Sequence, residues 1–522
     1  MILEGWEATS FPREAMWDVV VAGAGAVGLT MALQMTRAGK RVLVLECGPI
    51  QMPSNYKDLN AGVCTGVSHR GLSEGRVKAF GGTTKLWGGQ LVPFGALDID
   101  GSIEAPSLWP VRHADLQPYY AAALKLLGID LPSADEDTVW AGVGERRPLL
   151  GKNLRLGMNI WLPEPDFTKL FGREIRASKS LTVLVNAELT ALMFDDTGRT
   201  VSSVEISTTA GKISISTPVV VLACGTLENV RLLLRTAATL PTIPFSQNKN
   251  LGQGFIDHIH GLAGRVVIKD RRTASRYFDH IYHSGRKYGV KIRMEDAYRT
   301  DHRISNCAAT LNARFGAATL VREMLSLTRR TFNTGDVRSL QELSKGASSM
   351  ATTIFPLAWR YLMERRSSHF LSGDVYLGLE LEQLRTSRSY LFLDPNAPPE
   401  SAAIGVHWGF DGREIEAAAC ICAEIDRAFR VAQIGHVEVD ERIVARDPAF
   451  LVDCHDSDHH MGGSAMTDSP KTGVVDKDLR VFDTNNLYVL GAATFPSGGF
   501  ANPTLTAIAL SLRLVAHLEH RC

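Results

Sequence analysis

The sequence predicts an α/β fold built on a parallel sheet, with a second strand-rich region inserted into it. Three observations carry this expectation. The apolar run at residues 18–22 (DVVVA) leads directly into GAGAVG, which opens a helical pattern. Residues 41–45 (RVLVL) follow Gly39 and Lys40 as a second buried strand that closes at Glu46. Far downstream, HHMGGSAM and then NLYVLGAATFPSGGFANPTLTAIALSLRL supply glycine-rich turns, a strand-like run and an apolar helix. The beginning and the end of the chain thus read as parts of one unit.

The elements follow in order. Residues 29–38 carry the first helix, ended by Gly39 and Lys40, so residues 18–46 form one βαβ unit. Residues 60–95 are glycine-rich without periodicity and contain AFGGTTKLWGGQLVPF. Residues 105–128 read as a turn and then a helix capped near Asp115. LTVLVNAEL, VSSVEIST and KISISTPVVVLAC, within residues 181–224, predict strands, and ACGTLENVRLLLR continues as strand, turn and helix. YGVKIRM, NCAATLNARF, DVYLGLELEQL, SYLFLD and AIGVHWGF predict further strands. Residues 314–368 read as helical and in places strongly charged, and residues 412–435 as a helix. A nucleotide domain is therefore expected from residues 14–100, 175–262 and 453–522, and an inserted substrate domain from 101–174 and 263–452.

Bulk properties exclude several roles. A length of 522 residues suits two or three domains. With 45% hydrophobic and 21% charged residues the composition is that of a globular enzyme. A net charge of zero removes any electrostatic case for nucleic acid or an anionic membrane. No apolar run reaches the roughly 18–20 residues of a membrane span, and LTAIALSLRLVAHL is broken by Arg513 and His517. MILEGWEATSFPREAMWDVV lacks the pattern of a secretory signal, so the expected location is cytoplasmic. The eight cysteines are scattered and read as reduced thiols. Cys420 and Cys422 are two apart in a helical pattern and point in different directions.

Gly23, Gly25 and Gly28 form G-x-G-x-x-G between a strand and a helix. The first permits the tight turn, the second lets the backbone approach a pyrophosphate, and the third allows close helix–strand packing. Ala26 and Val27 then lie at the helix N-terminus, whose free N–H groups favour phosphate. Glu46, about twenty residues on, is placed to accept from ribose hydroxyls. The motif does not by itself separate FAD from NAD.

These segments together resemble the glucose–methanol–choline (GMC) family of FAD-dependent oxidoreductases. The resemblance rests on GAGAVG with Glu46, AFGGTTKLWGG, LACGTLENVRLLL, NLGQGFIDH and the block from His459 onward. That block carries H-x-x-G-x-x-x-M as His459, Gly462 and Met466, then VVD, NLYVLGAATFP and ANPTLT. The closest pattern is that of sugar-oxidising, pyranose oxidase-like members. The resemblance implies a discontinuous Rossmann-type FAD-binding domain with an inserted α+β substrate domain built on an antiparallel sheet. It implies FAD, and oxidation of an alcohol by hydride transfer to flavin N5.

By motif, the two polar residues that face the flavin fall on His459 and Asn502. A histidine with an ordinary pKa of about 6.5 can take the hydroxyl proton near neutrality. A carboxamide can fix the substrate oxygen. The resemblance places Gly82, Thr83, Thr84, Trp87 and Gly88 on a loop over the flavin. It places the backbone of Val185 against the adenine, and adds Ala223, Gly491, Ala492, Pro503 and Thr504 to the cofactor site. Some members attach FAD through a histidine just before this tryptophan. Leu86 stands there, so non-covalent FAD is expected. Ala492 replaces an acid common in the family, so no acidic contact is carried over.

The expected substrate is a small alcohol, carbohydrate-like: a sugar, glycoside, cyclitol or aminoglycoside-like compound, with O2 or another carrier as electron acceptor. Trp87, Tyr376, His407 and Trp408 are candidates for a carbohydrate pocket. A sterol or terpenoid alcohol is the alternative substrate, and an FAD-containing lyase the alternative activity. A flavin monooxygenase would not need the His–Asn pair. DCHDSDHHM places His455 and His459 four apart, but it lacks helix-forming strength and a distant partner motif, so no metal is expected. His460 reads as a supporting histidine.

Overall fold

A six-stranded sheet forms the base of the nucleotide half in the computed structural model, which describes residues 1–5, 17–60, 62–102, 107–313, 359–366 and 373–519. Its order is Ile2–Glu4, Leu181–Val185, Val42–Leu45, Val19–Ala22, Val220–Leu222 and Leu487–Val489, with every neighbouring pair parallel. Parallel strands are covered on both faces and so read as continuous apolar runs. Val19, Val20 and Val21 are fully buried, as are Val220 to Leu222. Helices Ala26–Arg37, Thr226–Thr239 and Thr504–Glu519 follow strands of this sheet, and the first and last of them pack together. The strand at Ile2–Glu4 was not anticipated, because three residues are too few to show a period.

The second large sheet is antiparallel. Its order is Gly435–Val439, His258–Ile268, Val375–Glu382, Cys307–Ala313, Arg286–Met294, Leu154–Trp161 and Gln90–Leu91, with Ile281–His283 paired to Arg286–Met294. The register sets His258 opposite Glu382 and His260 opposite Glu380. Side chains alternate along a strand, so these four share one face. Leu377, Leu379 and Leu381 take the other, which the helix Glu414–Val431 covers. The fold is thus a Rossmann-type domain joined to an antiparallel substrate domain, and the polar face of the second sheet lies against the C-terminal block. Two three-stranded sheets complete it: the meander Ala187–Phe194, Val201–Thr208, Gly211–Ser216, and the group Tyr390–Leu393, Ile404–Trp408, Val63–Gly66.

Local details refine the sequence reading. Asp115 does not cap the helix His113–Leu126 from outside. It lies within the first turn, and its carboxylate accepts from the Arg112 N–H. Of the stretch 314–368 read as helical, only residues 359–366 are described, so that expectation lies largely outside the described residues. Seven cysteines, Cys47 to Cys454, are free thiols. Among the described residues no helix is long and apolar enough to cross a membrane.

Candidate active site

The first turn of the helix Ala26–Arg37 opens on a cleft of about 650 Å³. Its leading N–H groups have no intrahelical partner, and no acidic side chain competes for them. A Cβ on Gly25 would meet nothing within 4 Å, so the space ahead of the helix is open. A Cβ on Gly28 would lie 2.0 Å from the Gly23 carbonyl oxygen, so only glycine lets the helix pack this tightly on its strand. From the other side Gly82 closes on Gly25: a Cβ there would sit 3.1 Å from the Gly25 Cα.

Glu46 is buried at the end of its strand. Its Oε2 accepts from the Ala24 N–H and its Oε1 from the Gly48 N–H, both at 3.0 Å. Burial pushes its pKa up to about 7 despite these two donors. Oε1 also accepts from the Cys47 thiol at 3.6 Å, so it is Oε2 that keeps a lone pair for a further hydroxyl donor.

His459 and Asn502 meet in the same cleft. The Asn502 carboxamide nitrogen lies 2.9 Å from His459 Nε2, and His459 Nδ1 lies 2.8 Å from His258 Nδ1. The row ends where His258 Nε2 approaches the Gly498 carbonyl oxygen at 3.4 Å. Burial holds both imidazoles below their ordinary pKa, His459 well below it, with His258, Lys291 and His260 adding to the effect at His459. Both rings are therefore neutral at pH 7, and the network assigns their protons. A carbonyl can only accept, so His258 carries its proton on Nε2 and accepts at Nδ1. His459 then donates from Nδ1, which leaves its Nε2 bare and basic beside the Asn502 N–H.

The C-terminal motifs explain each other. Gly462, Ser464 and Met466 donate backbone N–H groups to the carbonyls of Ala492, Ala493 and Thr494. The H-x-x-G-x-x-x-M segment and the GAAT turn are thereby zipped together.

The other sequence-predicted residues divide. Gly23, Gly25, Ala26, Val27 and Glu46 line the cleft, as do Gly82, Thr83, Thr84, Trp87 and Gly88. So do Ala223, Gly491, Ala492, Pro503 and Thr504. Gly28 sits behind the turn. Val185 is fully buried in its strand, and this segment meets the cleft at Ala187, Glu188 and Leu189. The Thr84 hydroxyl is turned back to the Gly81 carbonyl at 2.6 Å, so its O–H is already committed.

The GMC oxidoreductase family model for the C-terminal domain matches residues 385–511. The chain is 24% identical to 2-methyl-1,2-propanediol dehydrogenase of Mycolicibacterium austroafricanum, over 97% of this chain and 95% of that protein. It is 22% identical to the fructose dehydrogenase large subunit of Gluconobacter japonicus, over 95% and 96% of the two chains. Among solved structures, pyridoxine 4-oxidase from Mesorbium loti aligns with a TM-score of 0.61 at 15% identity, covering 97% of this chain and 100% of that one. The chain carries a GMC oxidoreductase C-terminal domain.

GMC oxidoreductases are FAD-dependent flavoproteins, and FAD is the cofactor of this one. The residues present fit it. Open space lies ahead of an unencumbered helix N-terminus, a buried carboxylate oxygen has a lone pair to spare, and the buried Asn502 Oδ1 has no hydrogen-bond partner among the described residues. A buried acceptor of this kind needs a donor from a bound group.

Three aromatic candidates for the substrate pocket of this GMC oxidoreductase are corrected. Trp408 is fully buried, with its Nε1 committed to Gln383 Oε1 at 2.9 Å. His407 stacks on Tyr390 and bonds the Thr65 hydroxyl, and Tyr376 lies outside the cleft lining. Only Trp87 of the four lines the cleft. Sequence reasoning missed His258, His260, Glu380 and Gln90. The signal for His258 was present, since NLGQGFIDH ends on it; nothing in the strand patterns marked the other three as facing the site. The distant partners judged missing from DCHDSDHHM also exist. His69, Asp257 and His460 bring ligand-type atoms within 4.8 Å of one another. The direct His69–Asp257 hydrogen bond of 3.1 Å accounts for that approach without a shared cation.

Proposed function

We propose that this GMC oxidoreductase oxidises an alcohol to a carbonyl, with His459 as general base and Asn502 holding the reacting oxygen. The observation that carries this reading is the bare His459 Nε2 set 2.9 Å from the Asn502 carboxamide nitrogen in the nucleotide cleft. An alcohol oxygen entering between them receives an N–H from Asn502 and gives its proton to Nε2. The positive charge that forms on the imidazole is shared through Nδ1 with the lone pair of His258 Nδ1. Removing the proton raises electron density on the carbinol carbon and eases departure of its hydride. FAD, when bound, supplies the hydride acceptor. Turnover is completed by O2 or another carrier.

The substrate we infer is a sugar, glycoside, cyclitol or aminoglycoside-like compound. The antiparallel sheet presents His260, Glu380 and Gln90 to the cleft, and His455 joins them. His455 Nδ1 donates to the Asp456 carbonyl at 2.7 Å, so its Nε2 accepts from His260 Nδ1 at 3.1 Å, leaving His260 Nε2 as an acceptor. Burial keeps His260 neutral. Lys291, ion-paired with Glu380, overcomes the burial penalty and holds that carboxylate ionised. A wall richer in acceptors than in donors suits a ligand bearing several O–H or N–H groups. Leu86 at the attachment position supports non-covalent FAD.

The test is anaerobic mixing of the purified holoprotein with D-glucose, D-fructose, a methyl glycoside, paromamine, 1,2-propanediol and benzyl alcohol while visible flavin absorbance is followed. Bleaching by polyhydroxylated compounds at the lowest concentrations is expected. Bleaching by benzyl alcohol alone would overturn the substrate class, and bleaching by none would overturn the alcohol-oxidising reading for these compounds.

A further inference from the structure

One carboxylate outside the His–Asn pair grips the backbone that carries it. Asp257 is fully buried beside His258. Its Oδ1 accepts from the N–H groups of His258 at 2.7 Å, His459 at 3.0 Å and Ser457 at 3.3 Å. Between the last two, Asp458 adopts a left-handed φ of 60°. Backbone N–H groups flanking such a residue converge into a concavity that suits an anion. Here the anion is the Asp257 side chain. A left-handed conformation is costly for a residue other than glycine and persists where its surroundings enforce it.

The second oxygen of Asp257 is held as firmly. His69 Nε2 lies 3.1 Å from Oδ2 and is likewise buried. The His69 ring is wedged edge-on between Phe255 and Trp408, at centroid distances of 5.4 and 5.0 Å. Burial works against a charged imidazole there, but the hydrogen bond and charge of Asp257, with Asp456 and Asp458 behind it, carry the His69 pKa above its ordinary value. The backbone next to His69 is pinned to the same turn: the N–H groups of Arg70 and Gly71 donate to the two Asp456 carboxylate oxygens at 2.8 and 2.9 Å. A Cβ on Gly71 would fall 2.5 Å from His460 Nε2 and 2.7 Å from an Asp458 oxygen, so no larger residue lets this segment lie so close.

We propose that Asp257, clamped by His69, is the positioning residue for the base: it sets His459 and His258 in line through their backbones. The proposal rests on the reading of His459 as base. It adds that the alignment is imposed from residues 69–71, a segment with no hydrogen bond to His459 or Asn502. A misplacement of about 1 Å in such a site can cost on the order of 100-fold in rate.

The experiment is a double-mutant cycle with Asp257→Ala and His459→Ala, with Asp257→Asn and His69→Phe as companions. All are assayed as FAD-loaded protein by anaerobic reduction at saturating 1,2-propanediol or D-fructose, whichever reduces the wild type. Asp257→Ala is expected to slow reduction about 100-fold with FAD retained. Asp257→Asn is expected to recover most of that loss, because its carboxamide oxygen can still accept the three N–H groups. The double variant should be no slower than His459→Ala alone, since residues acting as one unit are not additive. His69→Phe keeps the ring packing but not the hydrogen bond, and should slow reduction several-fold. It also tests the proposal where Asp257→Ala does not fold. Nitrogen-15 spectra of the histidines give a readout apart from turnover: the Nδ1–H tautomer of His459 should be lost in Asp257→Ala and kept in Asp257→Asn. If His459→Ala is itself unimpaired, the base assignment fails. If His459→Ala is impaired but Asp257→Ala multiplies with it, or if His69→Phe is as fast as wild type, the positioning proposal fails. Stoichiometric bound metal whose removal changes the rate would also overturn it, by giving His69, Asp257 and His460 a different task.

Discussion

His459 Nε2 lies 2.9 Å from the Asn502 carboxamide nitrogen although 43 residues separate them in the chain. The contact exists because His459 precedes a segment zipped to the turn at residues 491–494, while Asn502 directly precedes the helix Thr504–Glu519. Its first consequence concerns the base. His459→Ala is expected to slow anaerobic flavin reduction by about 100- to 10,000-fold while FAD stays bound. Stopped-flow absorbance and the visible spectrum of the purified variant measure the two properties separately. Near-normal reduction would remove His459 from the chemistry.

In the proposed reaction Asn502 donates to the oxygen but takes no proton. Asn502→Ala should therefore be milder, about 10- to 100-fold in reduction rate. A rate equal to wild type would count against its role.

The depressed pKa of His459 sets the pH dependence of reduction. The folded pKa lies well below 6.5, so the proton-accepting form is already complete at neutrality. The rate should be flat upward from about pH 6.5 and fall only on the acid side. A rate still rising between pH 7 and 9 would show that a different group must lose a proton first.

Glu46 was legible from spacing alone, whereas its surroundings were not. Glu46→Gln turns an N–H donor of the new amide toward the N–H of Ala24 or Gly48. An unsatisfied buried pair of this kind costs about 1–3 kcal/mol. FAD affinity should fall about 10- to 100-fold, measurable by flavin release during dialysis. Acid precipitation of the wild type should leave all yellow colour in the supernatant, as expected with Leu86 at the attachment position.

Asp458 gives a stability test. Burial, then Asp456 and Asp257, raise its pKa from 3.8 to about 6. The folded protein holds this proton more tightly than the unfolded chain, so the contribution of Asp458 declines as pH rises from about 4 to 6 and is lowest above that. Asp458→Asn also suits the left-handed backbone. Its melting temperature should exceed that of wild type at pH 8 by on the order of 1 °C, the carboxylate being partly open to water, and the gap should close toward pH 4. A gap that widens on acidification would show the opposite sign.

The residues that sequence could reveal are those whose role is local. GAGAVG, Glu46 and the apolar strand runs follow from short-range geometry, and the structure seats them as expected. The antiparallel sheet was foreseen as strands, but not as the register that sets His260 beside Glu380, because pairing between distant strands leaves no local period. Trp408 was misjudged for the same reason: an indole at a strand end looks alike whether it faces a ligand or Gln383. Asp257 and His69 show the limit most clearly. They are 188 residues apart, and neither had a role until the fold brought them together.

The order of strands in the parallel sheet bears on how the enzyme is made. One of its two edge strands, Leu487–Val489, and both His459 and Asn502 leave the ribosome after every other strand of that sheet. A nascent chain can form the glycine turn early, yet His459 and Asn502, which line the cleft, and the strand Leu487–Val489 are made only after the rest of that sheet. A chain terminated before residue 459 is therefore expected to carry the glycine turn without the histidine and the carboxamide that line the same cleft.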